Sequence, residues 1–569
     1  TSKIPNAQKP KTRPPRGLRD HFLFPGRSLP TYTGPYSVGT MEIEVPAQEP
    51  RTFSNIKRHG IHMLQLETVL MTVYYPAAVE TQELASRRER QSRELWLGRP
   101  RLGIASGYSH FASLGQLGIP VFLPTMFTKL PAYRNAPLAK HWAPVMNLRN
   151  SRSGPDIKLE EGETPKGQPE KPVFPMIMFS HGLGGTRTMY SSVCGEFASY
   201  GFVVVAVEHR DGSGPCTYIN HPNDGPEDMD KLEREGGIDH TAEEKKRGWS
   251  RKGYTFPETN KFDTNPRNPK GVDHELRSAQ IELRLAELEE AYAVMCVLNN
   301  GDGEEIAKRN LRRKGFKSAS SQGLSGVDWS TWKERLHLFS VTACGHSFGA
   351  ATICEMLRHD DRFHYVSQGI IYDIWGAGTR PVEQDHPNHR IKQPLLAINS
   401  EAFTYWPSNY QLVSSLIDEA HSEPSPQPAW LLTLRGTVHV SQSDFSLLYP
   451  HLCSFLLKMV ANPRRALDLN INASLEFLAG VLPPELAEVS RSYNNEGLLV
   501  HEANELSQIP SVDMHRPKEK YTAMRLKIKH EWLFRINPGL ARKIKRKQSQ
   551  RSGNISNEDD EVWLHCKPT

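Results

Sequence analysis

Along the 569 residues of this chain the apolar positions fall into short unbroken runs separated by polar stretches, with one long segment of helical period. The runs at 41–45, 68–75, 174–180, 202–207, 336–343, 369–372, 394–400 and 429–435 predict strands, the second of them ending at Pro76. Runs such as 202–207 are apolar throughout, as parallel strands covered on both faces read. Ile281, Leu285, Leu288, Tyr292, Met295 and Leu298 recur at helical spacing with glutamates and arginines opposite, which predicts a helix with one buried face. A crossover helix packed on the core suits that pattern better than a mobile lid. A second helix follows the run at 336–343, over 350–358. Strands alternating with helices predict an α/β fold with a central, mostly parallel sheet and helices on both faces.

The polar stretches divide the chain further. Residues 1–32, rich in Pro, Lys and Arg, read as a flexible basic segment. Residues 147–172 read as a surface loop, and 307–317 as an Arg/Lys-rich one. The charged stretch 212–275 opens an insertion at 212–335 within a catalytic domain spanning 33–465. Residues 466–569 read as a helical and partly disordered extension, with helical pieces such as 473–482, a basic segment at 542–547 and an acidic patch at 558–561.

The candidate chemistry sits where strand turns to helix. Gly345-His346-Ser347-Phe348-Gly349 has the form G-x-S-x-G, in which glycines let the chain turn sharply and leave the serine hydroxyl clear, the nucleophile elbow of an α/β-hydrolase. A neutral serine needs an imidazole to take its proton, and the imidazole needs a carboxylate to fix its tautomer and stabilise its charged form. In this fold the acid and histidine follow later strands in that order, which points to Asp373 after 369–372 and His439 after 429–435. Asp444 is the rival acid, close to His439 in sequence but with no strand of its own. An oxyanion hole would use the backbone N–H of Phe348, after the nucleophile, and of Leu183 in the small-residue loop His181-Gly182-Leu183-Gly184-Gly185. His181 and His346 suit supporting hydrogen bonds better than proton transfer. Glu208-His209-Arg210-Asp211 reads as a polar strand end held by salt bridges.

These residues resemble a known family. Phe179 to Gly184 with Arg187 and Tyr190, Gly201-Phe202, Ala206 to Asp211, the pentapeptide at 345–349, Asp373-Ile374-Trp375, Ile398 to Glu401, Arg435 to His439 with Asp444-Phe445, and the early Thr33 to Gly39 are similar to the platelet-activating factor acetylhydrolases of the plasma and intracellular type II group. The resemblance covers most of 33–460. It implies a calcium-independent serine esterase, with no cofactor, that removes acetyl, short or oxidised sn-2 acyl groups from glycerophospholipids. On that footing Ser347 matches the nucleophile, Asp373 the acid, His439 the base, and the amides of Leu183 and Phe348 the oxyanion hole. A broader carboxylesterase or lysophospholipase, and an inactive lipid-binding scaffold, are the competing readings; the intact Ser, Asp and His weigh against the scaffold.

Composition narrows the rest. A net charge of +6 over the whole chain does not suit a nucleic-acid binder. The seven scattered cysteines form neither a disulfide framework nor a C-x-x-C site, no H-E-x-x-H or phosphate loop occurs, and no metal is expected. The sequons at Asn472 and Asn554 are too few to argue secretion. With no apolar stretch long enough to span a bilayer and no apolar core in the first 30 residues, the chain reads as a cytoplasmic protein, soluble or peripheral to membranes. A signal already removed would leave the same pattern, so secretion stays open, as does oligomeric state. The apolar run from Leu114 to Leu130, broken by Pro120 and Pro124, corresponds to a region near which the resembled family docks on lipid, with Phe122 and Phe127 as candidate membrane-docking residues and core packing as the competing role.

Overall fold

In the computed structural model the apolar runs become strands of one sheet. Residues 29–79, 92–145, 158–222, 226–261, 263–265, 268–319, 323–379, 389–422, 426–500 and 561–568 are described. The strands are β1 (Ser37–Thr52), β2 (Gln65–Ala77), β3 (Arg93–Leu95), β4 (Lys129–Arg134), β5 (Phe174–Ser180), β6 (Val203–Val207), β7 (Cys216–Asn220), β8 (Trp249–Gly253), β9 (Leu336–His346), β10 (Val366–Tyr372), β11 (Leu395–Ser400), β12 (Ala429–Leu434) and β13 (Val562–Cys566). The principal helices are α1 (Arg101–Phe111), α2 (Ser191–Ser199), α3 (Pro226–Gly236), α4 (Ala242–Arg247), α5 (His274–Asn300), α6 (Phe348–Arg358), α7 (Pro407–Ala420) and α8 (Pro463–Val481).

Eleven strands form the main sheet in the order β13-β12-β11-β10-β9-β5-β6-β2-β1-β4-β3, β7 pairs antiparallel with β8 in a separate two-stranded sheet, and Lys57–Arg58 pairs with Ile61–His62 in another. From β12 to β6 neighbouring strands run parallel, while β2 is antiparallel to β6 and to β1. Strand alternation divides the core as a doubly covered sheet requires. Phe174, Met176 and Met178 of β5 point to the face covered by α5, α6 and α7; Ile177 and Phe179 point to the face covered by α2 and α8. This is the α/β-hydrolase fold.

Register sets the location of chemistry. Ser180 lies opposite Val207 and Gly345, His346 opposite Tyr372, Tyr372 opposite Ile398, and Ser400 opposite Leu434. The parallel strands therefore end level with one another, and the segments that follow them meet along one edge of the sheet, where open α/β sheets bind their ligands.

The helical period at 281–298 is α5, with Ile281, Leu285, Leu288, Met295 and Leu298 buried against the sheet and the Asp273 carboxylate capping its N-terminus. It is a core helix and not a lid. Pro76 does not end its strand: it lies within β2 opposite Val38, and its carbonyl accepts the Ala139 N–H at 2.9 Å. Proline lacks only the donor, so such a position costs nothing on the acceptor side. The charged insertion holds the antiparallel β7–β8 pair, with α3 and α4 between its strands, which no apolar run in the sequence marks.

The boundaries expected at 32 and 465 fall inside the folded body. Leu29 and Tyr32 are buried in the same cluster as α8, and β13 pairs antiparallel with β12. Asn472 is buried in α8 and donates to Glu496 Oε1 at 2.8 Å, which closes that sequon in the folded chain. Residues 1–28, the basic segment at 542–547, Asn554 and the acidic patch up to 560 lie outside the described residues.

One site expectation is corrected. Phe122 is 5% exposed and its ring stacks on Tyr108 at 5.5 Å, beside Phe445 and Tyr449. It is core and not a docking residue. Residues 115–127 wind as short helical turns, so the apolar run splits by face: Ile119, Phe122, Leu123 and Met126 pack inward, while Leu117 (88% exposed) and Phe127 (65%) face out. Phe122→Ala should therefore cost about 3–5 kcal/mol in denaturant unfolding, the usual cost of emptying a buried aromatic site. Phe127→Ala should stay within about 0.5 kcal/mol. Equal, small effects would remove Phe122 from the core.

Candidate active site

The turn at Ser347 is forced by its neighbours. Ser347 has φ 59° and ψ −120°, a strained backbone for a residue with a side chain, and it closes β9 and opens α6. A Cβ on Gly345 would strike the Gly349 carbonyl, and one on Gly349 would strike the Ser180 carbonyl, so glycine at both positions lets strand, turn and helix approach. Ser347 N–H donates to Tyr372 O at 2.9 Å and Trp375 N–H to Ser347 O at 3.1 Å, tying the turn to the end of β10.

Three side chains meet there. Ser347 Oγ lies 2.9 Å from His439 Nε2, and His439 Nδ1 lies 2.9 Å from Asp373 Oδ2. With Nδ1–H donating to the carboxylate, Nε2 is left to accept the serine proton. Asp373 is fully buried and takes two further bonds, from Ser400 N–H (2.7 Å) and Ser400 Oγ–H (2.6 Å), which hold it as a carboxylate acceptor. Phe403 lies flat on the His439 imidazole, ring centroids 4.2 Å apart.

Asp444 is elsewhere. Its carboxylate accepts from Trp96 Nε1, from Ser191 N–H and Oγ–H, and from Ser192 N–H, so it caps α2 and ties it to the chain at Trp96. Burial pushes its pKa up to about 6, against the pull of those donors. The folded chain thus holds this proton more tightly than the unfolded one. The contribution is fullest below the ordinary carboxylate range and is lost as pH rises through about 6.

The expected oxyanion amides flank the serine. Phe348 is the first residue of α6, where helix amides lack intrahelical partners. Gly182 packs so closely that a Cβ there would sit 2.7 Å from Ser347 Cβ, which brings the backbone at Gly182 against Ser347. Gly184, at φ 70°, donates its N–H to Ser213 O at 2.7 Å and holds the loop's far side.

His181 and His346 are both spent on supporting bonds. His346 Nε2–H donates to the His439 carbonyl (3.1 Å), so its Nδ1 accepts from Tyr190 Oη–H (2.8 Å), and Tyr190 Oη in turn accepts Gly182 N–H (3.3 Å). Burial, with the neighbouring His439 adding to it, holds the His346 pKa well below the usual histidine value. His181 Nδ1–H donates to Gly182 O while Nε2 accepts His209 N–H, and burial lowers its pKa to about 4. The strand end Glu208 to Asp211 is ion-paired to Arg187, Glu44 and Arg284.

Ser400, Phe403, Tyr190 and Arg284 were not singled out for roles from sequence. Ser400 ends the strand beside that of Asp373 and, like Tyr190, lies in a segment that carries the family resemblance, which are the signals the sequence offers for it. Phe403 and Arg284 are indistinguishable from core and helix-surface residues until packed.

Residues 156–485 match the family model described as platelet-activating factor acetylhydrolase, isoform II. The chain belongs to this family. A platelet-activating factor acetylhydrolase of Gallus gallus is 32% identical over 308 residues, covering 54% of this chain and 61% of that protein. One of Canis lupus familiaris is 29% identical over 307 residues, 54% of this chain and 56% of the other. The chain thus spans about six tenths of the length of these acetylhydrolases. A Schizosaccharomyces pombe (strain 972 / ATCC 24843) protein named putative phospholipase A2 is 25% identical over 501 residues, covering 79% of this chain and 92% of its own. A ferulic acid esterase structure from Streptomyces cinnamoneus aligns at TM-score 0.44 and 14% identity, over 81% of this chain and 98% of that one, a likeness that adds nothing to the argument.

The two acids are separable by experiment. Asp373→Asn should lower kcat on a soluble ester by roughly ten-thousandfold, because the imidazole loses its tautomer and its counter-charge. Asp444→Asn should leave kcat within a few fold, cost about 1–3 kcal/mol of stability, and flatten the stability curve between pH 4 and about 6. The reverse ranking in kcat would make Asp444 the acid.

Proposed function

We propose that the chain is a serine esterase that releases the sn-2 acetyl, short or oxidised acyl group of a glycerophospholipid, and that Ser347, His439 and Asp373 are its catalytic triad. The observation that carries this is the continuous line of two 2.9 Å hydrogen bonds from Ser347 Oγ through His439 to a fully buried carboxylate, on a strained elbow in a member of this family.

Ser347 Oγ attacks the sn-2 carbonyl carbon as its proton passes to His439 Nε2. The carbonyl oxygen becomes an oxyanion held by the Leu183 and Phe348 amides, which are in place before the charge develops. Asp373, 2.9 Å from Nδ1, stabilises the imidazolium, and Phe403 presents a ring face to it. His346, kept neutral by burial, adds no second positive charge beside it. The ester C–O bond breaks, His439 returns the proton to the departing lyso-lipid oxygen, and an acyl-serine remains. Water then attacks the acyl carbon, giving its proton to His439, and the acid leaves with Ser347 regenerated. No step calls on a metal or cofactor, and calcium is not expected to change the rate.

The match to a protein named putative phospholipase A2 over most of both chains favours one competing reading, hydrolysis of longer sn-2 chains. Purified protein assayed on phospholipids differing only in sn-2 acyl length separates the two: a rate falling steeply beyond short or oxidised chains supports the acetylhydrolase reading, and a flat or rising series supports the phospholipase one. Ser347→Ala should abolish hydrolysis and fluorophosphonate labelling with the fold intact. A tenth of wild-type turnover in that variant would sink the triad.

We propose that the enzyme works peripheral to membranes from the cytoplasm, with secretion as the competing location. No helix among the described residues is long and apolar enough to cross one. Docking is assigned to Leu117 and Phe127, which face out from a segment whose start is anchored near the site: Phe111, just before it, packs where a Gly184 Cβ would be. Replacing Leu117 and Phe127 together with Ser should weaken liposome binding and slow hydrolysis of vesicle-borne lipid several-fold, with the rate on a soluble ester unchanged. Equal loss on both substrates would end the docking assignment.

A further inference from the structure

The charged insertion carries a cluster that the esterase chemistry does not use. Glu67 near the start of β2, His221 just past β7 and His240 just before α4 converge in the interior, at 4%, 1% and 9% exposure. His240 Nε2 lies 2.9 Å from Glu67 Oε2, and His221 Nε2 lies 3.9 Å from the same oxygen. The two imidazoles are 4.5 Å apart between centroids, and Ser250 Oγ lies 2.9 Å from His221 Nε2. Zinc bound tetrahedrally at about 2.0–2.2 Å to nitrogen and oxygen has ligand atoms about 3.3–3.5 Å apart. The observed separations bracket that edge, so shifts of about half an ångström would close the shell.

The surroundings suit a cation. Glu233 Oε1 lies 3.2 Å from His240 Nδ1, and a proton on that nitrogen leaves Nε2 bare toward Glu67, the carboxylate–histidine arrangement that orients metal-bound imidazoles. His221 Nδ1 is buried and has no hydrogen-bond partner among the described residues, so no bond there fixes which way the ring turns. An open cleft of about 510 Å³, with Asp230, Glu233, Arg234, Asp239 and His240 in its wall and Lys245 paired to Asp230 and Glu233, gives a path from solvent to His240.

We propose that Glu67, His221 and His240 bind a divalent zinc ion, with an oxygen from Ser250 or water as fourth ligand. The ion fastens the insertion to the sheet. The consequence reaches the active site, since Ser213, in the turn leading into β7, holds Gly184 of the loop beside Ser347.

The test uses the full chain, stripped with a chelator and titrated with Zn²⁺ alone. One Zn²⁺ per chain should bind, raise Tm by several degrees, and, when replaced by Co²⁺, give the ligand-field absorption of a four-coordinate nitrogen–oxygen site. Glu67→Gln should lose stoichiometric uptake, and Glu233→Gln, which leaves every ligand in place, should weaken it about 10- to 100-fold. The stripped wild-type chain showing neither a Zn²⁺-dependent rise in Tm nor the Co²⁺ spectrum overturns the proposal and leaves an ion-paired brace. Full uptake by Glu67→Gln overturns it as well, because the ion is then held elsewhere.

Discussion

The buried ion pair between Arg284 and Asp211 joins everything the site requires. Arg284 Nε lies 2.6 Å from Asp211 Oδ2, and its other nitrogens donate to His181 O (2.9 Å) and Ser213 Oγ (2.5 Å), while the guanidinium sits 4.4 Å over the Phe348 ring. One side chain on α5 thus holds the loop after β5, the turn after β6 and the first residue of α6. Burial works against the Asp211 carboxylate, the Arg284 charge and the hydrogen bonds from Ser213 and Arg284 together outweigh it, and the pKa lies below the ordinary value. Taking two charges from water costs several kcal/mol each, and the cost is offset here by near-complete hydrogen bonding. Losing either partner would leave a naked buried charge, at about 3–5 kcal/mol.

The same device recurs and changes how the composition reads. Arg187 bridges Glu42 and Glu208, Arg210 meets Glu44, Arg277 meets Asp263, Arg358 meets Glu419, and Arg465 meets both Glu496 and Glu561. Part of the chain's charge thus lies inside the fold, paired. Several of these pairs link segments far apart in sequence, Arg210 with Glu44 and Arg187 with Glu42 among them, and Arg465 ties α8 to the start of β13. Such pairs add little net stability over apolar packing, but they penalise any other arrangement of the same segments.

Around the serine the polar groups are chained. Gly182 N–H, Tyr190, His346 and the His439 carbonyl form one run of hydrogen bonds, so the amides expected to receive the oxyanion and the backbone of the expected base are set relative to each other. Pre-positioned dipoles need no reorganisation as charge develops. Ser213, in the turn leading into β7, joins this arrangement to the charged insertion through the Gly184 N–H.

The sequence alone determined eight strands of the main sheet, β1, β2, β5, β6 and β9 to β12, with the α5 face, the elbow and the order of Ser347, Asp373 and His439, because apolar periodicity and the turn chemistry of glycine are local properties of the chain. Preference for Asp373 over Asp444 followed from its place after a strand, and the geometry puts only Asp373 beside His439. Tertiary structure alone decided which way Phe122 and Phe127 face, since short helical turns divide one apolar run between core and solvent. It also decided the partners of Asp444, the roles of Ser400, Phe403 and Arg284, and the meeting of Glu67 with His221 and His240. Those contacts join residues with no fixed spacing. They exist only once sheet register has carried distant segments to the same edge, and no local pattern records that.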